Sequence, residues 1–160
     1  AALTVHLRTV KEQSKVDAHW EVVDEIIALR DRLAPHTVLL FNGDIEDRAD
    51  GLHKIAGRNN VGLMIGRGIF HNPWAFEVEP REHSRGERIT AILRHLEIFE
   101  QTWTQGEKRF EPLKRFFKIY IQGFDGAADM RNALMACHDI EQAREVLRGK
   151  KKKSRTAVEF

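Results

Sequence analysis

Between Leu3 and Ile65 the sequence alternates short strand signals with helical patterns, and this alternation restricts the fold more than any other feature. Leu3 to Leu7 reads as a short buried strand. Arg8 to Lys15 is a polar loop, and Asp17 is placed to cap the helix that follows. From Trp20 to Leu33, the residues Val22, Val23, Ile26, Ile27, Leu29 and Leu33 recur at helical spacing, and Pro35 ends the run. Thr37 to Phe41 is β-branched and apolar, the pattern of a strand covered on both faces. Asn42-Gly43-Asp44 then makes a turn, and Glu46 to Ala56 suits a helix with an acidic first turn. Val61 to Ile65 is a third strand, ending at Gly66-Arg67-Gly68. Short connections between these elements mean parallel βαβ units with right-handed crossovers. Three parallel strands leave two unpaired edges, and the chain opens on Ala1-Ala2 directly before a strand. We therefore expect an N-terminal portion of the protein upstream of this sequence.

Beyond Gly86 the strand signal disappears. Ile89, Ile92, Leu93, Leu96 and Phe99 mark one long amphipathic helix, and Leu113, Phe116, Phe117 and Tyr120 mark a second. Gly123 to Gly126 is a turn, followed by helices over Ala127 to Ala136 and Ile140 to Leu147. Phe70 to Phe76, with Pro73 and Trp74, reads as a linker packed between the two parts. Charge divides the same way. Residues 1–80 hold nine Lys and Arg against twelve Asp and Glu, and residues 81–160 hold seventeen against twelve. The expected organisation is an α/β portion over 1–80, a small helical bundle over 81–149 and a basic tail over 150–160. A basic rear half suits a polyanionic partner.

With 42% hydrophobic and 31% charged residues, the chain has enough apolar side chains for a packed core. No apolar run approaches the roughly 20 residues a bilayer requires, so no membrane partner is expected. The start has no basic region followed by an apolar stretch, and the single cysteine, Cys137, forbids an internal disulfide. Both suit a cytoplasmic protein. No set of His, Cys and carboxylate residues has the spacing of a zinc site, so no metal is expected.

In parallel α/β sheets and barrels, ligands sit at the carboxyl ends of the strands, where the loops converge. The three loops here carry His6, Arg8 and Thr9, then Asn42-Gly43-Asp44, then Gly66-Arg67-Gly68. Glycines at 43, 66 and 68 remove a Cβ and let main-chain N–H groups approach an anion, and Arg67 adds a forked cation. Two glycine-bearing loops at consecutive strand ends point to a phosphate site, an arrangement that recurs in the last loops of (β/α)₈ barrels. His6 is equally well read as a ligand contact or a structural hydrogen bonder. Asp44 and Asp47 read as an acidic loop feeding a helix rather than as a metal pair. His36, His53, His83 and His95 read as surface residues, and Cys137 as a buried thiol on a rear helix.

The blocks Thr4-Val5-His6-Leu7-Arg8-Thr9, Asn42-Gly43-Asp44-Ile45 and Gly62-Leu63-Met64-Ile65-Gly66-Arg67-Gly68, with Asn72-Pro73-Trp74, resemble the tRNA-dihydrouridine synthases. Leu113-Lys114-Arg115-Phe116-Phe117 and Gly126-Ala127-Ala128-Asp129-Met130-Arg131 resemble the helical domain of that family. The resemblance implies the C-terminal strands and helices of a TIM (β/α)₈ barrel followed by a small helical bundle. It implies FMN as cofactor, NADPH as reductant and uridine in tRNA as substrate, reduced to 5,6-dihydrouridine. Asn42, Gly43 and Asp44 would contact the flavin nucleotide, Gly66 and Arg67 its phosphate, and His6 would lie against it. Arg8 would sit at the substrate side, and Lys114, Arg115, Lys118 and Arg131 would contact tRNA phosphates.

Two departures stand out. The family has glycine where this sequence has Leu7, which predicts a different path for the first loop. The family's proton-donating cysteine and a flavin-contacting lysine belong to earlier barrel strands, so no catalytic residue is expected within this chain. Two other readings stay open on the residues alone: a different FMN- or phosphate-binding barrel oxidoreductase, and a non-catalytic RNA-binding remnant.

Overall fold

A computed structural model describes residues 1–104 and 108–149; the basic tail lies outside them. The chain divides into two compact units, Ala1–Pro80 and Arg81–Phe160. The first unit runs β1 (Ala2–His6), a 3-10 turn (Trp20–Val22), α1 (Val23–Leu33), β2 (Val38–Asn42), α2 (Arg48–Lys54), β3 (Val61–Leu63) and a second 3-10 turn (Arg67–Phe70). Its sheet has the order β1-β2-β3, and both pairings are parallel. Ala2 pairs with Val38 and His6 with Asn42, while Leu39 pairs with Val61 and Phe41 with Leu63.

This register places Leu3, Val5, Leu39, Phe41, Val61 and Leu63 on one face, because alternate residues of a strand point the same way. Leu39 and Phe41 are fully buried there and pack with Leu7, Val23 and Ile55. Ile26, Ile27 and Trp20 complete the cluster. The expected two-sided burial is not what the first unit shows. β1 is largely exposed, Leu3 to 55%, and Val38 on the other face is exposed as well. The helices cover one side of the sheet.

Two local readings are corrected. Asp17 caps nothing: the chain enters α1 through the 3-10 turn, and no side chain caps either start. α1 buries Val23 and packs Ile26 and Ile27 as its apolar spacing suggests, but its last turns depart from that spacing. Leu29 and Leu33 are exposed, whereas Arg30 is buried and donates to the Thr37 carbonyl at 2.8 Å and the Asn60 carbonyl at 3.0 Å. A guanidinium can satisfy several carbonyls at once, so it ties the end of α1 to the chain entering β2 and β3. α2 is capped by Asp47, whose carboxylate accepts the Asp50 N–H at 2.9 Å.

The second unit contains α3 (Arg85–Thr102), a 3-10 turn (Glu111–Leu113), α4 (Lys114–Tyr120), α5 (Ala127–Met135) and α6 (Ile140–Leu147). Ser84 and Glu87 form a reciprocal cap at the start of α3. Hydrogen bonds from Arg81 and from Ser84 hold the Glu87 carboxyl down at about 2. Ile92, Leu96, Leu113, Phe117, Ile121, Leu134, Ala143 and Leu147 form the core shared by the four helices. Cys137 is buried among them, with its Sγ 3.3 Å from the Ala133 carbonyl. His36 and His53 are exposed, but His83 is buried and His95 half-buried. His95 Nδ1 lies 3.1 Å from the Tyr120 hydroxyl, and burial pushes its pKa below the ordinary imidazole value.

Candidate functional site

The carboxyl ends of β1, β2 and β3 open onto one cleft of about 1090 Å³ within the first unit. Parallel pairing brings them together, since it aligns all three strands in the same direction. The cleft gathers His6 and Arg8 from the first loop, Asn42, Gly43 and Asp44 from the second, and Gly66, Arg67 and Gly68 from the third. Thr9, Val10, Gln13 and Ser14 add to it from the first loop.

Each loop is held by identifiable bonds. The Leu7 N–H extends the sheet by donating to the Asn42 carbonyl at 2.8 Å, and the Leu7 side chain is a core residue. The Arg8 N–H donates to His6 Nδ1 at 3.1 Å, so that nitrogen is an acceptor and Nε2 is left to carry the ring proton. Asn42 Nδ2 donates to the Met64 carbonyl at 2.6 Å, joining the ends of β2 and β3. Trp20 Nε1 donates to the Gly43 carbonyl at 3.1 Å.

Asp44 sits at the centre. Its backbone is left-handed, with φ of +47°. Its carboxylate accepts from the Arg8 guanidinium, from the Ala18 N–H at 2.9 Å and from Arg67 Nη2 at 3.4 Å. The Arg8 bond, aided by the Ala18 N–H and the charge of Arg67, holds the Asp44 carboxyl below the usual carboxylate range. Arg8 was expected to face a substrate. Instead its side chain is only 4% exposed, bonded to Asp44 and, through Nε at 2.6 Å, to the Val16 carbonyl. A guanidinium placed there shapes the loops. Arg67, by contrast, has a side chain 62% exposed.

The three glycines divide in the same fashion. A Cβ on Gly43 would lie 2.7 Å from the Ala18 Cβ, and Gly43 has φ of +141°. A Cβ on Gly68 would strike the Glu46 carbonyl and lie 2.6 Å from the Ile45 carbonyl. Both glycines serve close packing between loops, a different reason from the anion approach expected of them. For Gly66 the nearest atom is Asn42 Nδ2 at 3.5 Å, an ordinary contact, so packing alone does not demand a glycine there.

Glu12 and His19 also hold the first loop, and the sequence reading overlooked them. Glu12 Oε2 accepts from the Thr9 N–H and hydroxyl, each at 2.8 Å, and Oε1 lies 3.1 Å from His19 Nε2. His19 Nδ1 lies 2.8 Å from Glu21. The Thr9 bonds bring the Glu12 carboxyl down to about 2, and the bonds to Glu21 and Glu12 raise the His19 pKa. The signal was present as Thr9-Val10-Lys11-Glu12, the spacing of a capping box.

In the second unit the four basic candidates separate into two pairs. Arg115 and Lys118 on α4 are exposed. The Lys114 side chain is 11% exposed and bonds Glu111 at 3.0 Å. Arg131 donates to the Ile121 carbonyl at 2.7 Å, closing the end of α4. Among the described residues no group of three or more His, Cys, Asp and Glu side chains could hold a metal ion. Nor is any described helix long and apolar enough to cross a membrane.

Known proteins resemble this chain over nearly its whole length. The dihydrouridine synthase family model matches residues 1–157. A probable tRNA-dihydrouridine synthase of Staphylococcus epidermidis is 52% identical over 148 residues, which are 92% of this chain and 45% of the relative. One from Staphylococcus aureus is 50% identical over 147 residues, again 92% of this chain and 45% of the relative. A probable tRNA-dihydrouridine synthase 2 of Bacillus subtilis is 49% identical over 148 residues, with the same coverage. The chain thus spans about half the length of these relatives.

Proposed function

The chain belongs to the dihydrouridine synthase family, and from that premise we propose that its first unit is the phosphate-binding side of an FMN site in a (β/α)₈ barrel. The whole protein would reduce uridine in tRNA to 5,6-dihydrouridine, with NADPH as reductant. The observation that carries this reading is the meeting of Asn42, Asp44, Gly66 and Arg67 in one cleft at the strand ends.

The residues fit the group. A phosphate dianion needs main-chain N–H donors that it can approach and a guanidinium that can turn toward it. Gly66 lines the cleft with no side chain of its own, and Arg67 is exposed beside it. His6 offers an Nε2–H donor at the same cleft, and Asn42, fixed to β3, offers its side-chain oxygen. Bound there, FMN supplies the hydride chemistry for the C5–C6 double bond of uridine. Arg8 holds Asp44, and Asp44 in turn orients Arg67. Cys137 is buried in the helical unit and is given no part in the chemistry.

Arg115 and Lys118 are the residues we assign to tRNA phosphate contact, a role that positions the RNA without reading its sequence. Lys114 and Arg131 stabilise the helices that carry them.

The test is FMN binding by the full-length protein. Arg67→Ala should weaken FMN affinity by about tenfold or more and lower the dihydrouridine content of tRNA in cells relying on that variant. Unchanged affinity would refute the phosphate assignment.

A further inference from the structure

We propose that Ser14 is a positioning residue for the phosphate of the cofactor, acting by holding the Arg67 guanidinium in place from the opposite loop. This rests on the flavin reading above and goes beyond it, because neither the sequence pattern nor the family resemblance singles out Ser14.

Arg67 begins the 3-10 turn of the third loop, and its long side chain reaches over the cleft. An exposed arginine loses considerable rotamer freedom when it settles on a ligand, unless something already holds it. Two groups hold this one. Ser14 Oγ accepts from Nη1 at 2.8 Å, and Asp44 Oδ1 accepts from Nη2 at 3.4 Å. The serine contact has ordinary hydrogen-bond length, whereas the carboxylate contact is long. Ser14 therefore supplies the fork's hydrogen bond of ordinary length, while Asp44 adds the attraction of its charge.

Ser14 can act as an anchor because its own loop is built. The Gln13 N–H donates to the Thr9 carbonyl at 3.2 Å and the Lys15 N–H to the Glu12 carbonyl at 2.9 Å, so main-chain bonds flank Ser14 on both sides. Glu12 closes the turn onto Thr9, and the His19 N–H returns to the Leu7 carbonyl at 2.8 Å. A hydroxyl has one proton and two lone pairs. Accepting from Arg67 leaves the Ser14 proton available to a second acceptor in the cleft. The consequence is selectivity: a guanidinium held in advance favours flavin carrying a phosphate over flavin lacking it.

The experiment titrates flavin-stripped full-length protein with FMN and with riboflavin, followed by flavin fluorescence. Ser14→Ala should weaken FMN binding about five- to tenfold, the scale of one ordinary hydrogen bond, and leave riboflavin binding within about twofold. Ser14→Thr keeps the hydroxyl and should restore FMN affinity. In an Arg67→Ala background, Ser14→Ala should have no further effect, because its influence passes through the arginine. Equal losses for both flavins, no loss for either, or a full additional loss in the Arg67→Ala background would overturn the proposal. Wild-type protein that binds neither flavin would refute the underlying flavin reading, and this inference with it.

Discussion

The strand-end loops of the first unit and the basic helices of the second both draw charged side chains together, but they use them differently. In the loops, Arg8 and Asp44, 36 residues apart in sequence, form a partly buried pair that leaves Arg67 exposed over a cleft. On α4 and α5, Lys114 and Arg131 turn inward to a carboxylate and a carbonyl, and only Arg115 and Lys118 face solvent. The same residue types thus do structural work in both places. A cation buried against a carboxylate or a helix-end carbonyl is withdrawn from ligands, and one left exposed is available to them.

The sharpest way to break this comparison is within the third loop. Gly68→Ala sets a methyl group against the Glu46 and Ile45 carbonyls and should cost about 2–3 kcal/mol of stability, read as a lowered urea midpoint. Gly66→Ala should leave the fold nearly unchanged while weakening FMN binding. If the two variants behaved alike, the division between packing and ligand glycines would fail. Next in size is Asp44→Asn, which leaves the buried Arg8 without its counter-charge and should cost roughly 2 kcal/mol. A null effect on stability would mean that the Arg8 pair is not what holds the first two loops.

In the second unit, Arg131→Ala should lose about 1 kcal/mol through the lost cap on the Ile121 carbonyl. Arg115→Ala and Lys118→Ala should each change stability by less than about 0.5 kcal/mol. Those two exposed variants should instead flatten the salt dependence of tRNA binding, each by about one unit of log–log slope. Reversed behaviour would exchange the two pairs.

The smallest effect expected is that of pH on the first loop. The His19 pKa is raised by Glu21 and Glu12, so its contribution is complete below the ordinary imidazole value near 6.5 and fades as pH rises through the raised folded value. The Glu12 pKa is lowered from 4.5 to about 2, so its contribution is complete above 4.5 and fades as pH falls toward 2. Protection against amide exchange in residues 9–15, taken relative to the intrinsic rate at each pH, should therefore be greatest between these windows, and His19→Gln should remove its alkaline limb.

Much of this was legible in the sequence for a physical reason. The strand ends carry Gly, Asn and Asp, which punctuate the chain locally, and parallel βαβ connection then forces those ends to one side. Apolar spacing likewise marked the helical core through Ile92, Leu96, Leu113 and Phe117. What escaped depended on partners remote in sequence. Arg30 reads as a polar position on a helix until Thr37 and Asn60 place their carbonyls around it. Arg8 reads as a ligand contact until Asp44 is folded against it. Asp17 has the right chemistry for a cap, but the 3-10 turn at Trp20 shifts the helix start away from it.

The central claim is that the turns at 42–44 and 66–68 hold the phosphate of a flavin nucleotide, and a crystal structure of the full-length protein with FMN tests it most directly. The expected result is the phosphate within hydrogen-bond distance of Arg67 and of the main chain at Gly66. A phosphate bound elsewhere, with Arg67 still joined only to Ser14 and Asp44, would contradict it.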